Sequence, residues 1–248
     1  MAKRVKLPPV SVDLSSKTWN SPHYFVISLA VPTESPTLGR PETDGVGINV
    51  VAYYRMKDET RNILQRITAP GYDVRTDTNQ EDGLCVQQRY VNGVRLWEEW
   101  CTNAPSDEKM QARFKLIPDV HNPKEVGLPS YISKYCGKPV LIKRKDVTGF
   151  LSCHPDIHAM EFDISIHPFP YLAKKATAYL KDNLFATALA GLSYAIEGRD
   201  DTELPEVLIG DEVQVCYCDP ECIIEAADLF AGAAPSSFSK DSFEKKND

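Results

Sequence analysis

The stretch Leu184–Ile196 carries no charged residue, and it constrains the chain more than any other feature. A helix that is apolar on every side must be surrounded. This one is too short to span a bilayer, which takes about 20 apolar residues, so it belongs in a protein core. Just upstream, Leu172, Ala176, Tyr179 and Leu180 fall in one stripe about 100° wide, and Lys174 and Lys181 point away from it. Pro168 and Pro170 precede the pattern and Gly198 follows it, the usual asymmetry of helix starts and stops. The reading is one long helix over Tyr171–Glu197, amphipathic in its first half and enclosed in its second.

The other ordered stretches read mostly as strands. Tyr24–Val31 is rich in aromatic and β-branched residues and is closed by Pro32. Gly47–Tyr54 is similar, and the two are expected to pair antiparallel across the loop Thr33–Gly45. Asp58 caps a short helix, Glu59–Ile67, stopped by Pro70-Gly71. Val94–Cys101 carries Leu96, Trp97 and Trp100 at helical spacing. Further strands are expected at Arg113–Pro118, Pro139–Lys143, Phe150–Cys153, Met160–Ile166 and Val213–Tyr217. In Met160–Ile166 the apolar residues Met160, Phe162, Ile164 and Ile166 share one face, and Glu161, Asp163 and Ser165 share the other. Without strand–helix–strand alternation the class is α+β. The expected architecture is a curved antiparallel sheet gripping a long C-terminal helix, by analogy with helix-grip lipid-transfer domains. Residues 1–20 read as a flexible arm, 21–233 as a single α+β domain, and the polar tail 234–248 as disordered.

A net charge of −7 argues against nucleic acid as a partner over a broad face, which requires a basic stripe. It leaves room for a local basic contact with a membrane surface, such as Lys3, Arg4 and Lys6. Seven cysteines, an odd number in a chain of 248 residues, suit reduced thiols in a cytosol-like compartment. The N-terminus does not resemble a signal peptide. The expected location is cytoplasmic, with peripheral membrane contact left open.

Candidate chemistry is thin. Cys153, His154 and His158, with Cys216, Cys218 and Cys222, offer metal-ligand types, but no paired Cys-x-x-Cys element occurs. No Gly-x-Ser-x-Gly elbow or phosphate-binding glycine loop is present. Glu161 and Asp163 read as a solvated strand face. Trp97 and Trp100 fit core or interface packing. The expectation is a non-enzyme without metal or cofactor. An enzyme built around Cys153 and His154 ranks third among the readings.

Three stretches together resemble a known family. They are Arg113-Phe-Lys-Leu-Ile-Pro118 followed by Gly137-Lys-Pro-Val-Leu-Ile142; Met160-Glu-Phe-Asp-Ile-Ser-Ile166; and Glu197-Gly198 followed by Glu203-Leu-Pro-Glu-Val-Leu-Ile-Gly210. Their order and spacing resemble the C-terminal domain of the plant Enhanced Disease Resistance 2 protein, over roughly Pro22 to Val215. The chain departs from that family in residues 71–112, which look longer. It also shows none of the upstream pleckstrin-homology or steroidogenic-regulatory-related domains and no Gly-Lys-Thr-Tyr-like opening strand. The resemblance implies a lipid- or membrane-associated context and no established catalytic residues.

Two readings follow. In the first, the protein binds a lipid or another hydrophobic ligand, peripheral to membranes. Tyr179, Phe185, Leu189, Leu192 and Ile196 then line a cavity of about 300 Å³ or more. In the second, it is a protein-interaction or scaffold subunit whose core is filled, with Ala186, Ala190 and Gly191 allowing close packing. That reading expects an exposed apolar patch around Trp97 and Trp100.

Overall fold

The computed structural model describes residues 10, 14, 15, 17–73, 88–143, 148–184, 186–204, 206, 208–210 and 212–216. The chain is α+β, with two four-stranded sheets and several helices. Strands β1 (Tyr24–Pro32) and β2 (Gly47–Arg55) come first, then helices α1 (Asp58–Ile67), α2 (Gln88–Asn103) and α3 (Glu108–Gln111). Next come β3 (Phe114–Val120), α4 (Ser130–Ser133), β4 (Val140–Leu141), β5 (Gly149–His154) and β6 (Ala159–Ser165). Helix α5 (Tyr171–Leu184) leads to β7 (Leu189–Ile196) and β8 (Val213–Cys216).

The first sheet has the order β2-β1-β6-β5 and the second β4-β3-β7-β8. β1 pairs antiparallel with β2, Tyr24 opposite Arg55, as the sequence suggests. It pairs parallel with β6, so the first sheet is mixed where a purely antiparallel sheet was expected. Alternation explains which face turns inward. Phe25, Ile27, Leu29 and Val31 of β1 join Met160, Phe162 and Ile164 of β6 in one core cluster, together with Phe114 and Leu116 of β3 and Tyr194 and Ile196 of β7. Rings from the two sheets meet directly, with Phe114 and Phe162 centroids 4.6 Å apart. The two sheets therefore face one another across a shared interior.

Different helices occupy the two ends of this interior. Trp97 and Trp100 of α2 pack on Phe25 near the start of β1, and Trp100 also packs on Phe114 at the start of β3. At the opposite end, α5 joins the end of β6 to the start of β7. Its Leu184 packs with Val120, the last residue of β3.

The long helix expected over Tyr171–Glu197 is corrected: it ends at Leu184, and Leu189–Ile196 is strand β7. A short, uniformly apolar run is equally compatible with a buried strand and a buried helix. Long-range partners decide between them here. β7 pairs antiparallel along β3, Ile196 opposite Phe114, and along β8. The turn is held by Asn122, whose Oδ1 accepts from the Leu189 N–H (2.9 Å) and whose Nδ2 donates to the Thr187 carbonyl (3.0 Å). Gly191 serves a side chain rather than a helix–sheet contact: a Cβ there would collide with Glu212 Oε1 and approach His121 Nε2.

Trp19, assigned to the N-terminal arm by sequence, is buried against Leu64 of α1 and Val94 of α2. The Asn20 and Ser21 amides donate to the Glu98 carboxylate (2.6 and 2.8 Å). Most of residues 1–13 and the tail 234–248 lie outside the described residues.

Candidate functional site

The α5 end of the sandwich holds the most unusual chemistry in the fold. The loop between β1 and β2 contains a 3-10 turn, Pro41–Thr43, and then Asp44. Asp44 is 4% exposed, and Lys174, in the first turns of α5, is 1% exposed. Lys174 Nζ donates to Asp44 Oδ2 at 2.9 Å. His167, just after β6, places Nδ1 3.1 Å from the same oxygen. Its ring lies over Gly47, where a Cβ would come within 2.8 Å of Nε2. Burial by itself would raise the Asp44 carboxyl, but the hydrogen bonds from Lys174 and His167 outweigh it and hold Asp44 below the usual carboxylate range. Helical periodicity places Lys174 on the solvent side. The structure turns it inward, toward a carboxylate 130 residues away in sequence.

The loop that carries Asp44 is well knit. The Glu34 N–H donates to the Asp44 carbonyl (2.9 Å), the Arg40 N–H to the Thr37 carbonyl (2.9 Å), and the Thr37 N–H to Thr43 Oγ1 (2.7 Å). Gly39 takes φ +80°, which closes the tight turn after Leu38. This ordered loop nevertheless leaves Leu38 78% and Val46 84% exposed, and Leu172 on α5 is 51% exposed.

The residues proposed for ligand binding do not share one helix face. Leu192 and Ile196 lie on the inner side of β7 and pack with the inter-sheet core. Leu189, an odd number of positions from both, lies on the opposite side of that strand. Tyr179 remains on α5, packed with Val120, Leu184 and Ala188. Phe185 lies outside the described residues. The sequence reading missed Tyr194, the buried ring on the inner side of β7 between Phe114 (5.9 Å) and Tyr54 (6.2 Å). Burial, with a smaller contribution from Tyr54, pushes its hydroxyl well up. Cys153 and His154 are adjacent on β5 and so point to opposite sides. The described residues contain no cluster of three or more His, Cys, Asp or Glu able to hold a metal. Cys218 and Cys222 lie outside them. Trp97 and Trp100 stack at 5.6 Å as part of the α2 end, and Trp100 is fully buried, so the patch expected around them is packing.

The stretch Glu203–Gly210 has a structural role. Arg113 grips the Glu203 carboxylate with both terminal guanidinium nitrogens, and the Arg199 N–H donates to it (2.6 Å). Glu206 accepts from Lys115 Nζ (2.7 Å) and from the Gly198 N–H (3.0 Å). The Ile209 N–H donates to the Tyr194 carbonyl (2.7 Å). Gly210, at φ +71°, lies so close to the Tyr54 ring of β2 that a side chain would strike it. The segment is a strap running from Arg113 and Lys115 at the start of β3 across β7 to the first sheet.

The family model described as Protein ENHANCED DISEASE RESISTANCE 2, C-terminal, matches residues 1–219. The chain belongs to that family. The match takes in both sheets and the strap, and so extends beyond the span over which the sequence stretches were compared. No curated protein and no solved structure matches the chain significantly. For this member of the Enhanced Disease Resistance 2 C-terminal family, no described helix is long and apolar enough to cross a membrane.

Proposed function

We propose that the protein is a non-enzymatic module that binds a lipid or similar hydrophobic ligand between α5 and the adjoining ends of the two sheets. One observation carries this reading. Among the described residues, apolar packing divides into separate clusters there. Leu192 and Phe169 belong to the inter-sheet core, whereas Tyr179 and Leu180 belong with Val120, Leu184 and Ala188. An acyl chain or ring inserted along that division would meet apolar side chains from both clusters, as hydrophobic pockets require. In this reading α5 takes the part of the gripped helix. Exposed Leu38, Val46 and Leu172 at the same end suit transient contact with a membrane surface, where a ligand of this class resides.

A second reading, a protein-interaction subunit with a filled core, draws on a different surface. Val51 and Tyr53 of β2 and Phe150 of β5 are exposed on the outer face of the first sheet, with Ser28 and Asp163 between Val51 and Phe150 in register.

Native mass spectrometry of the purified chain, with solvent extraction of what co-purifies, separates the two. A stoichiometric hydrophobic molecule, or a mass shift after incubation with mixed phospholipid vesicles, is the expected result. Apoprotein under both conditions would remove the ligand reading and leave the interaction subunit.

A further inference from the structure

We propose that the first two turns of α5, residues 171–178, form a gate that closes over the Lys174–Asp44 pair and that opens by local unwinding. The segment is bounded by two apolar anchors. On one side Phe169, between Pro168 and Pro170, packs against the inter-sheet core. On the other, an anchor begins at the fully buried Ala178; Tyr179, Leu180 and Leu184 pack with Val120 and Ala188, and the turn that follows is pinned by Asn122. Between these anchors the helix is tied to the β1–β2 loop through the buried Lys174–Asp44 pair, with His167 on the same carboxylate.

The two kinds of attachment respond differently to opening. Separating an apolar contact costs free energy in proportion to the area exposed. A buried ion pair has already lost most of its attraction to desolvation, so letting water back onto both charges costs little. Removing one charge while the other stays buried is expensive. A helix anchored by apolar contacts at both ends and by an ion pair between them should therefore yield in the middle. The start of α5, from Tyr171 up to the anchor at Ala178, and the loop 33–46 would then separate while α2 and the anchors remain closed. The use of this gate for ligand access rests on the function proposed above; the gate itself does not.

The test is hydrogen exchange, read by mass spectrometry on the intact chain, for the parent protein, Asp44→Asn, Lys174→Met and the double variant Asp44→Leu/Lys174→Met. Each single variant is expected to speed exchange in peptides covering 170–178 and 33–46 by about tenfold or more, with the α2 peptides remaining the slower-exchanging set. The double variant replaces the pair with apolar side chains, and those same peptides should exchange more slowly than in the parent. No change at 170–178 in the single variants, or exchange there no faster than in the α2 peptides, would overturn the gate. Should neither single variant fold, the double variant decides alone: slower exchange at 170–178 supports the gate, and unchanged or faster exchange overturns it. Uptake of 1-anilinonaphthalene-8-sulfonate, followed in parallel, distinguishes the two claims. Local opening without dye uptake would keep the gate and discard the ligand site.

Discussion

The two ends of the sandwich are closed by opposite means. At the α2 end, Trp97 and Trp100 stack on each other and meet Phe25, Phe114 and Phe162 in continuous ring contact. At the α5 end, the helix meets the β1–β2 loop through the buried Lys174–Asp44 pair, and its apolar residues form a cluster of their own. Dispersion and burial act over many atoms at the first end and tolerate no half-open state. The second end depends on a pair whose net worth is small while both charges are present and whose loss is costly when only one remains. The α2 end therefore sets the stability of the molecule, and the α5 end is where it can change shape.

The largest expected effect tests the first half of that contrast. Trp100→Ala should cost about 3–5 kcal/mol, because a large side chain in contact with four other rings leaves a cavity that its neighbours cannot fill. The check is the urea midpoint, with the slope of the transition unchanged. Next comes Lys174→Met, at about 3 kcal/mol, because Asp44 then stays buried without its lysine. Adding Asp44→Leu should recover all of that loss or more, and a double-mutant cycle measures the coupling. If the single and double variants lose equally, the pair is not the tie described here.

Acid should expose the same contrast. Asp44 is buried and Glu203 partly buried, which by itself raises a carboxyl, yet their partners hold them below the ordinary range: Lys174 and His167 for Asp44, Arg113 and the Arg199 amide for Glu203. Carboxyls with lowered folded-state values add stability that is complete above their unfolded values, near pH 4, and that is lost as pH falls through the folded values. Urea midpoints for the parent should fall below about pH 4, and Glu203→Gln should flatten that fall. A parent profile that stays flat to pH 2 would contradict the assignment. The smallest effect belongs to the exposed loop. Leu38→Ser and Val46→Ser should each change stability by less than about 0.5 kcal/mol, as calorimetry can verify, since neither side chain is buried.

The same contrast marks how far sequence reasoning reaches. β1 and β2 were legible from their aromatic and β-branched residues and β6 from its period-two alternation, all local signals, and the structure places them within a residue or so of the expected bounds. The β1–β6 pairing was not legible, because a parallel neighbour more than a hundred residues away leaves no local trace. Leu184–Ile196 correctly announced a buried segment, but its uniform apolarity erased the period that separates helix from strand. Asn122, which fixes the break, lies in a distant loop. Of the proposed binding residues, Leu192 and Ile196 reach the interior, though along a strand, and Leu189 faces the other way. Lys174 was the most misleading residue. A lysine on a helix is ordinarily solvated, and nothing near it in sequence points to Asp44.

Native-state hydrogen exchange by NMR in a series of urea concentrations below the unfolding transition tests the central claim most directly. The account predicts that α2 amides exchange only through global unfolding, so that their protection falls steeply with urea. It predicts that amides of residues 171–178 exchange through a local opening with almost no urea dependence and a smaller free energy. Matching free energies and slopes for α2 and the start of α5 would show that the two ends open together, and would contradict it.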